Sequence, residues 1–252
     1  AIRPTEGGLA TLHRSQAATI PFENFDICLG RPISLARAAL CDKLIHRSRG
    51  GYCFELNGLF LLALEWFGFD ARPLLARVHV TGTPSGRGHQ ITLVNLEGRQ
   101  WIADVGFGYP GLRHPLPLEL NQPCTQGGWH YRLTDAGPFG TMLQTRAQEE
   151  WQDLYSFDLG HGFPQDIAYG HRYTATHPGS IFTSCRVAAL QVDNGFKTLN
   201  NFTLKQLTAT AETVENVAQG HAYLDALKTH FGIALDAPYE ALRPATPEMV
   251  VN

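Results

Sequence analysis

Cys53 is the residue of this chain best placed for nucleophilic chemistry. It follows the Gly50-Gly51 pair and opens an apolar run that continues to Phe69. A run this long and apolar on all sides predicts a buried helix, with Gly68 at its end. Cys53 then lies in the first turn, where free amide N–H groups and the positive end of the helix dipole favour a thiolate. The same stretch fits a second interpretation equally well, in which Cys53 is a small buried packing residue.

A cysteine nucleophile needs a base and a group that orients the base, and both can come from distant parts of the chain. His89 opens a predicted strand after a loop rich in glycine, serine and proline, and Asp104 ends another predicted strand. The residues therefore permit a Cys53-His89-Asp104 triad. Taken singly, a histidine beside a loop is more often solvated, and an aspartate at a strand end more often caps a turn.

The hairpin between these two strands decides whether His89 and Asp104 can meet. If residues 95–98 form a type I turn, His89 pairs opposite Val105. Strand alternation then points His89 and Asp104 to opposite faces, so we expect a bulge before Gly106 that brings them together. A turn apex further along the chain would separate the two residues by about 13 Å, beyond any hydrogen bond.

The order of the remaining elements predicts an α+β fold. Thr5 caps a first helix, and Ser34 caps a second helix whose inward stripe includes Leu40 and Ile45. We interpret residues 160–178 as a connection without regular structure. Strands are predicted over residues 74–80, 91–96, 101–105, 129–133, 151–157 and 186–192, with a hairpin turn at 193–195 and a last helix over 222–231. Helices first and antiparallel strands afterwards are not an alternating βαβ order.

Composition excludes several classes of function. The 20 basic and 23 acidic residues and the pI near 6.4 predict no nucleic-acid partner. No apolar run is long enough to span a membrane and no charged leader opens the sequence, so we expect a cytoplasmic protein without a membrane partner. The 5 cysteines include no Cys-x-x-Cys pair, and the 11 histidines show no metal-site spacing, so we expect neither disulfides nor a metal.

Four separate motifs resemble those of the arylamine N-acetyltransferases. They are Ile20-Pro21-Phe22-Glu23-Asn24, Arg49-Gly50-Gly51-Tyr52-Cys53-Phe54-Glu55, His89 at a strand start, and Asp104-Val105-Gly106-Phe107-Gly108. The resemblance implies a papain- or transglutaminase-like catalytic core in three domains: an N-terminal helical domain (1–67), a central antiparallel β-barrel (68–160) and a C-terminal α/β, lid-like domain (161–252).

The family resemblance also implies a reaction. Cys53 would be the nucleophile, His89 its base and Asp104 the carboxylate that orients His89. The expected co-substrate is acetyl-CoA, and the expected acceptor is an arylamine or an arylhydrazine. Cys53 would carry the acetyl group between the two halves of a ping-pong cycle. We expect a monomer or a homodimer.

Further residues match family positions with roles in binding or support. The acceptor pocket is expected to be lined by Phe22, Val78, Phe107 and Phe182. Contacts to the acetyl-CoA are expected from Gly106, Phe107 and Gly108. Glu23 and Arg49 match a supporting ion pair, which we predict to be structural.

The sequence departs from the family pattern in ways that bear on substrate preference. Gly88 stands before His89 where threonine is frequent, and Tyr109-Pro110 stands where small residues are usual.

Three alternative functions remain open. The first is an amide synthase or acyltransferase of the same fold with another acyl donor, and the second is a hydrolase or transglutaminase-like enzyme with the same three residues. The third is a non-catalytic protein that keeps the fold.

Overall fold

The structure is a computed structural model that describes residues 2–146 and 150–245. Its α-helices are α1 Glu6–Thr19, α2 Phe25–Cys28, α3 Arg37–Cys41, α4 Cys53–Trp66, α5 Pro164–Thr176 and α6 His221–Phe231. Its strands are β1 Phe22–Glu23, β2 Asp70–Val78, β3 His89–Leu96, β4 Arg99–Ala103, β5 Leu116–Pro117, β6 Cys124–Gln126, β7 Trp129–Asp135, β8 Thr141–Arg146, β9 Gln152–Phe157, β10 Val187–Val192, β11 Gly195–Asn200, β12 Thr203–Thr208 and β13 Glu212–Asn216.

Three of the predicted helices form close to where the sequence places them: α1, α4 and the last helix, α6. Thr5 is the N-cap of α1, and its hydroxyl accepts a hydrogen bond from the Gly8 amide at 3.2 Å. Helix α4 begins at Cys53, which confirms the position of that residue in the first turn, and Gly68 follows the helix with a positive φ of 81°. The helix is not buried on all sides, since Trp66 near its C-terminus is exposed.

The second predicted helix differs from expectation. Ser34 does not cap it; α3 begins only at Arg37, and a single π-helical turn, Asp42–His46, replaces its C-terminal half. A π turn contains more residues than an α turn, so the positions beyond it rotate relative to the predicted stripe. Ile45 is consequently exposed rather than inward, and Lys43 is buried in its place.

The central sheet has eight antiparallel strands in the order β5-β4-β3-β2-β9-β8-β7-β6. One hydrophobic core receives side chains from both ends of this order, including Leu116 of β5 and Tyr131 of β7, so the sheet curls around that core. Within residues 2–146 and 150–245 its edge strands β5 and β6 are not paired with each other. The expected β-barrel is therefore an antiparallel sheet that is curled but not closed by hydrogen bonds.

Helix α5 occupies the segment that we interpreted as a connection, so that interpretation was wrong. The helix is polar along most of its length, with only Thr174 fully buried, and it contains Gly170. A side chain at Gly170 would contact the Phe54 ring at 3.0 Å and the Arg87 carbonyl oxygen at 2.8 Å. A glycine lowers helix propensity, so local preference does not predict this helix. The glycine is required because α5 lies directly against the start of α4.

A second sheet, β1-β10-β11-β12-β13, is built around the predicted hairpin, with Val192 paired to Gly195 across the turn. Its first strand, β1, comes from the N-terminal helical region. Phe22 and Glu23 of this strand pair with Ala189 and Ala188 of β10. The three-domain division at residues 67 and 160 remains a prediction, and this sheet crosses it.

Candidate active site

The β3–β4 hairpin has a different turn from the one predicted. Glu97 and Gly98 both have positive φ, 52° and 77°, and Leu96 pairs with Arg99 across a two-residue loop. This is the geometry of a type I′ turn. The register is therefore shifted by one residue from our expectation.

The new register removes the need for a bulge. The last ladder pair joins Thr92 to Ala103. Continuing it by one residue sets Asp104 opposite Ile91, which lies on the same face of β3 as His89. His89 and Asp104 are thus diagonal neighbours on one face, and His89 Nε2 lies 2.7 Å from Asp104 Oδ2.

Cys53, His89 and Asp104 come together in a buried group. Their exposed fractions are 3%, 3% and 1%, and the Cys53 thiol is a further hydrogen-bonding partner of His89. Because His89 Nε2 is bonded to Asp104, the other ring nitrogen, Nδ1, is the atom available to Cys53. The Cys53 sulfur also lies 3.7 Å from the carbonyl oxygen of Gly88.

The electrostatics of the group favour a charged His89. Burial opposes the charge, but the Asp104 carboxylate and Cys53 together outweigh it and raise the pKa of His89 to about 10. Burial also acts against ionisation of Asp104, yet the charge on His89 and hydrogen bonds from Asn57 and Gly106 hold the pKa of that carboxyl below its usual range. Cys53 therefore lies between a charged His89 and the N-terminus of α4, a position typical of nucleophilic cysteines.

Asn57 holds the loop that follows β4 to helix α4. Its amide nitrogen donates to Asp104 Oδ1 at 2.8 Å and to the Gln90 carbonyl at 2.6 Å, and its oxygen accepts from the Val105 amide at 3.1 Å. Gly106 completes the contact, since a Cβ there would lie 2.7 Å from the Asn57 amide nitrogen. Sequence analysis missed Asn57, although its place one helical turn after Cys53 indicates the same face of α4.

Buried charges support the segment before Cys53. The expected Glu23–Arg49 pair is present, with Arg49 Nε and Nη2 donating to Glu23 Oε1 at 3.0 and 2.7 Å. Arg49 also reaches Asp26, and Lys43 Nζ joins Asp26 at 2.6 Å to Glu55 at 2.7 Å. The structure thus adds three residues, Asp26, Lys43 and Glu55, to the predicted pair.

Glu55 connects these charges to the start of helix α4. One of its carboxylate oxygens accepts from the Tyr52 amide at 3.1 Å, which is the glutamate half of a capping box at the N-terminus of α4. Gly50 and Gly51 are required there for lack of space: a Cβ would lie 2.3 Å from the Pro21 carbonyl oxygen at Gly50 and 2.8 Å from the Glu55 side chain at Gly51. The glycines thus allow close packing.

The four residues expected to line an acceptor pocket fall into separate contacts. Phe22 packs against Phe182 with ring centroids 5.9 Å apart, and Phe107 packs against His89 at 5.3 Å. Val78 lies on β2 opposite Tyr155. Phe22 and Phe107 border a cavity of about 10 Å³, enough for one water molecule and too small for an aromatic ring.

The two glycines of the Gly106-Phe107-Gly108 segment have different surroundings. The Gly106 amide donates to Asp104 Oδ1 at 2.9 Å, so it is engaged within the group of three. Gly108 has a positive φ of 81° and lies against the Phe22 ring.

The departure from the family pattern at Gly88, where threonine is frequent, has a physical reason, because a Cβ there would lie 3.0 Å from the Thr174 hydroxyl on α5.

Comparisons with known proteins identify the family. A family model described as N-acetyltransferase matches residues 7–239. An arylamine N-acetyltransferase / N-hydroxyarylamine O-acetyltransferase of Salmonella typhimurium is 44% identical over 205 residues, which are 79% of this chain and 72% of that protein. The chain belongs to the arylamine N-acetyltransferase family. It is an acyltransferase, and the predicted resemblance is confirmed.

Solved structures agree with this assignment. The arylamine N-acetyltransferase of Salmonella typhimurium superposes with a TM-score of 0.89 at 38% identity, covering 94% of this chain and 88% of that one. The enzyme of Mycobacterium marinum, solved in complex with CoA, has a TM-score of 0.88 at 33% identity and covers 92% and 88%.

Among the described residues no group of three or more His, Cys, Asp or Glu side chains could hold a metal ion. No helix in the described parts of the chain has the length and apolar character needed to cross a membrane.

Proposed function

We propose that this enzyme transfers the acetyl group of acetyl-CoA to the nitrogen of arylamines, and of arylhydrazines, by a ping-pong mechanism through acetyl-Cys53. The observation that carries the proposal is the buried contact of Cys53 with His89. Nε2 of His89 in turn lies 2.7 Å from Asp104 Oδ2. The CoA complex of the Mycobacterium marinum relative supports the choice of acyl donor.

In the first half-reaction His89 holds the proton of the Cys53 thiol, and the thiolate attacks the thioester carbonyl carbon of acetyl-CoA. A C–S bond to Cys53 forms and the C–S bond to CoA breaks, so the acetyl group moves from one sulfur to another. The departing CoA thiolate takes the proton from His89. Asp104 keeps Nε2 of His89 occupied, so Nδ1 remains directed to the reacting sulfur.

In the second half-reaction the neutral amine attacks the carbonyl carbon of acetyl-Cys53. The C–S bond breaks, and the amine gives up a proton through His89 as the amide forms and the thiol is restored. Burial of the group excludes water, which would otherwise hydrolyse the acetyl-cysteine.

For the acceptor we propose contacts with Phe22, Val78, Phe107 and Phe182, whose side chains are apolar and three of which are aromatic, as suits a flat amine. For acetyl-CoA we propose contacts at Phe107 and Gly108, with Gly106 shaping the loop because its own amide is bonded to Asp104. The Glu23–Arg49 pair is proposed to support the fold.

Intact-mass analysis after mixing with acetyl-CoA alone tests the proposal. We expect one added acetyl group, mapped to Cys53 and discharged by an aromatic amine with formation of its amide. Cys53→Ser serves as the control and should gain no thioester. Transfer of a different acyl group only would favour the amide synthase alternative, and release of free acetate at the same rate with and without the amine would favour a hydrolase. No adduct at any pH would exclude the proposed reaction.

A further inference from the structure

The peptide unit between Asp104 and Val105 is held by side chains from two helices. Strand β4 ends at Ala103, so neither polar atom of this peptide takes part in the ladder. Its carbonyl oxygen lies 3.0 Å from Nε2 of His13 on α1, and its amide nitrogen donates to Asn57 on α4 at 3.1 Å. The orientation of this peptide therefore depends on His13 as much as on Asn57.

We propose that His13 is a positioning residue for Asp104, because it donates a hydrogen bond to the Asp104 main-chain carbonyl and thereby fixes the direction in which the carboxylate meets His89. The inference rests on the proposed function, in which Asp104 orients the base. His13 touches no substrate in this proposal and acts only through Asp104.

A displacement of this peptide that shifts the Asp104 Cα would move the carboxylate with it. The Asp104 carbonyl carbon and side chain share the same Cα, and Oδ2 sits only 2.7 Å from His89 Nε2. Asp104 is 1% exposed, so a carbonyl deprived of its donor has no access to bulk water and must turn towards another partner. A displacement of about 1 Å in a catalytic constellation lowers rate by up to about 100-fold.

The surroundings of His13 favour the neutral ring that this role needs. The side chain is fully buried and packs edge-on against Phe60 with ring centroids 5.7 Å apart. Burial lowers the pKa of His13 to about 4; Asp104 and the Arg113 main chain act in the opposite direction, and the nearby His114 adds to the lowering. A neutral ring carries one proton, and the Asp104 carbonyl, which can only accept, requires it on Nε2.

Three variants test the role. His13→Phe keeps a ring against Phe60 but removes the donor, and His13→Gln keeps an N–H donor in its place. The matched control is Gln16→Leu, one turn further along α1, because Gln16 donates to the Leu56 carbonyl of α4 at 2.8 Å and does not touch Asp104. All three are checked for folding by thermal melts.

The main readout is the rate of Cys53 alkylation by iodoacetamide as a function of pH, mapped by mass spectrometry. We expect His13→Phe to slow alkylation at neutral pH by about 10- to 100-fold and to shift the profile to higher pH. His13→Gln should remain within about threefold of the parent enzyme, and Gln16→Leu should leave the profile unchanged even if it lowers the melting temperature.

Three results would overturn the inference: folded His13→Phe with the parent profile, equal losses in His13→Phe and His13→Gln, or an equal loss in Gln16→Leu. The last would mean that docking of α1, rather than the bond to Asp104, determines reactivity. Failure of the proposed function is distinguishable, because the parent enzyme would then form no acetyl-Cys53 while alkylation of the variants could still be compared.

Discussion

Replacement of Arg49 by methionine is expected to destabilise the fold strongly. The substitution keeps an apolar stem of similar length and removes the guanidinium. Arg49 makes two hydrogen bonds to Glu23 Oε1, and the two side chains are only 4% and 0% exposed. Without Arg49, Glu23 keeps the hydrogen bond that the Phe25 amide donates to its Oε2 at 2.7 Å.

The magnitude follows from the burial of Glu23. Removing one partner of a buried ion pair leaves an uncompensated charge and costs about 3–5 kcal/mol. Asp26 loses a 3.3 Å contact to Arg49 but keeps Lys43 at 2.6 Å, so its share of the loss is small. In the double variant Arg49→Met, Glu23→Gln the buried charge is gone, and we expect recovery of at least about 2 kcal/mol relative to Arg49→Met.

Urea unfolding followed by circular dichroism measures these differences as changes in midpoint at constant slope. Arg47→Met is the matched control, because Arg47 pairs with Asp42 at 3.0 Å but both side chains are more than half exposed, at 51% and 59%. It should cost less than about 1 kcal/mol. The reasoning is refuted if Arg49→Met costs no more than Arg47→Met, or if the Glu23→Gln change fails to restore stability.

Three further variants test the site. The stability difference between His13→Phe and the parent enzyme should shrink by about 2–3 kcal/mol between about pH 7.5 and 4.5, since a folded-state pKa near 4 means that the parent loses stability as pH falls below 6.5; an equal difference at the two pH values, measured by urea unfolding, would contradict this. Gly106→Ala places a Cβ 2.7 Å from the Asn57 amide nitrogen, so we expect a loss of about 1–3 kcal/mol in thermal melts together with reduced acetyl transfer, and an unchanged enzyme would speak against close packing there. Asp104→Asn removes the charge that raises the pKa of His89 and should slow acetylation of the enzyme by more than about 100-fold in stopped-flow assays, whereas a loss below about threefold would exclude the orienting role.

Local rules accounted for much of the chain. The Thr5 cap, the start of α4 at Cys53 and the hairpin at 193–195 each depend on residues within a few positions of one another. Local backbone preferences determine a helix cap, a glycine at a helix end or a two-residue turn, so each of these can be predicted from the sequence. The resemblance to the family rested on four such local motifs.

Other elements were not predicted from the sequence, because tertiary packing overrides local conformational preference in them. Helix α5 contains Gly170 and only one buried side chain, that of Thr174, and at Gly170 it lies directly against Phe54. The π turn after α3 turns Lys43 inward and Ile45 outward, against the predicted stripe. In each case the deciding partner is distant in sequence.

By itself the sequence determined which residues could carry the proposed chemistry: a cysteine at a helix start, and a histidine and an aspartate at strand ends. Only the tertiary structure decided how they meet. The type I′ turn at Glu97-Gly98 sets the register that brings His89 and Asp104 to one face, and a shift of one residue there would separate them. His13 and Asn57 reach the Asp104–Val105 peptide from two different helices, an arrangement that no spacing along the chain reveals because it depends on how those helices pack against the sheet.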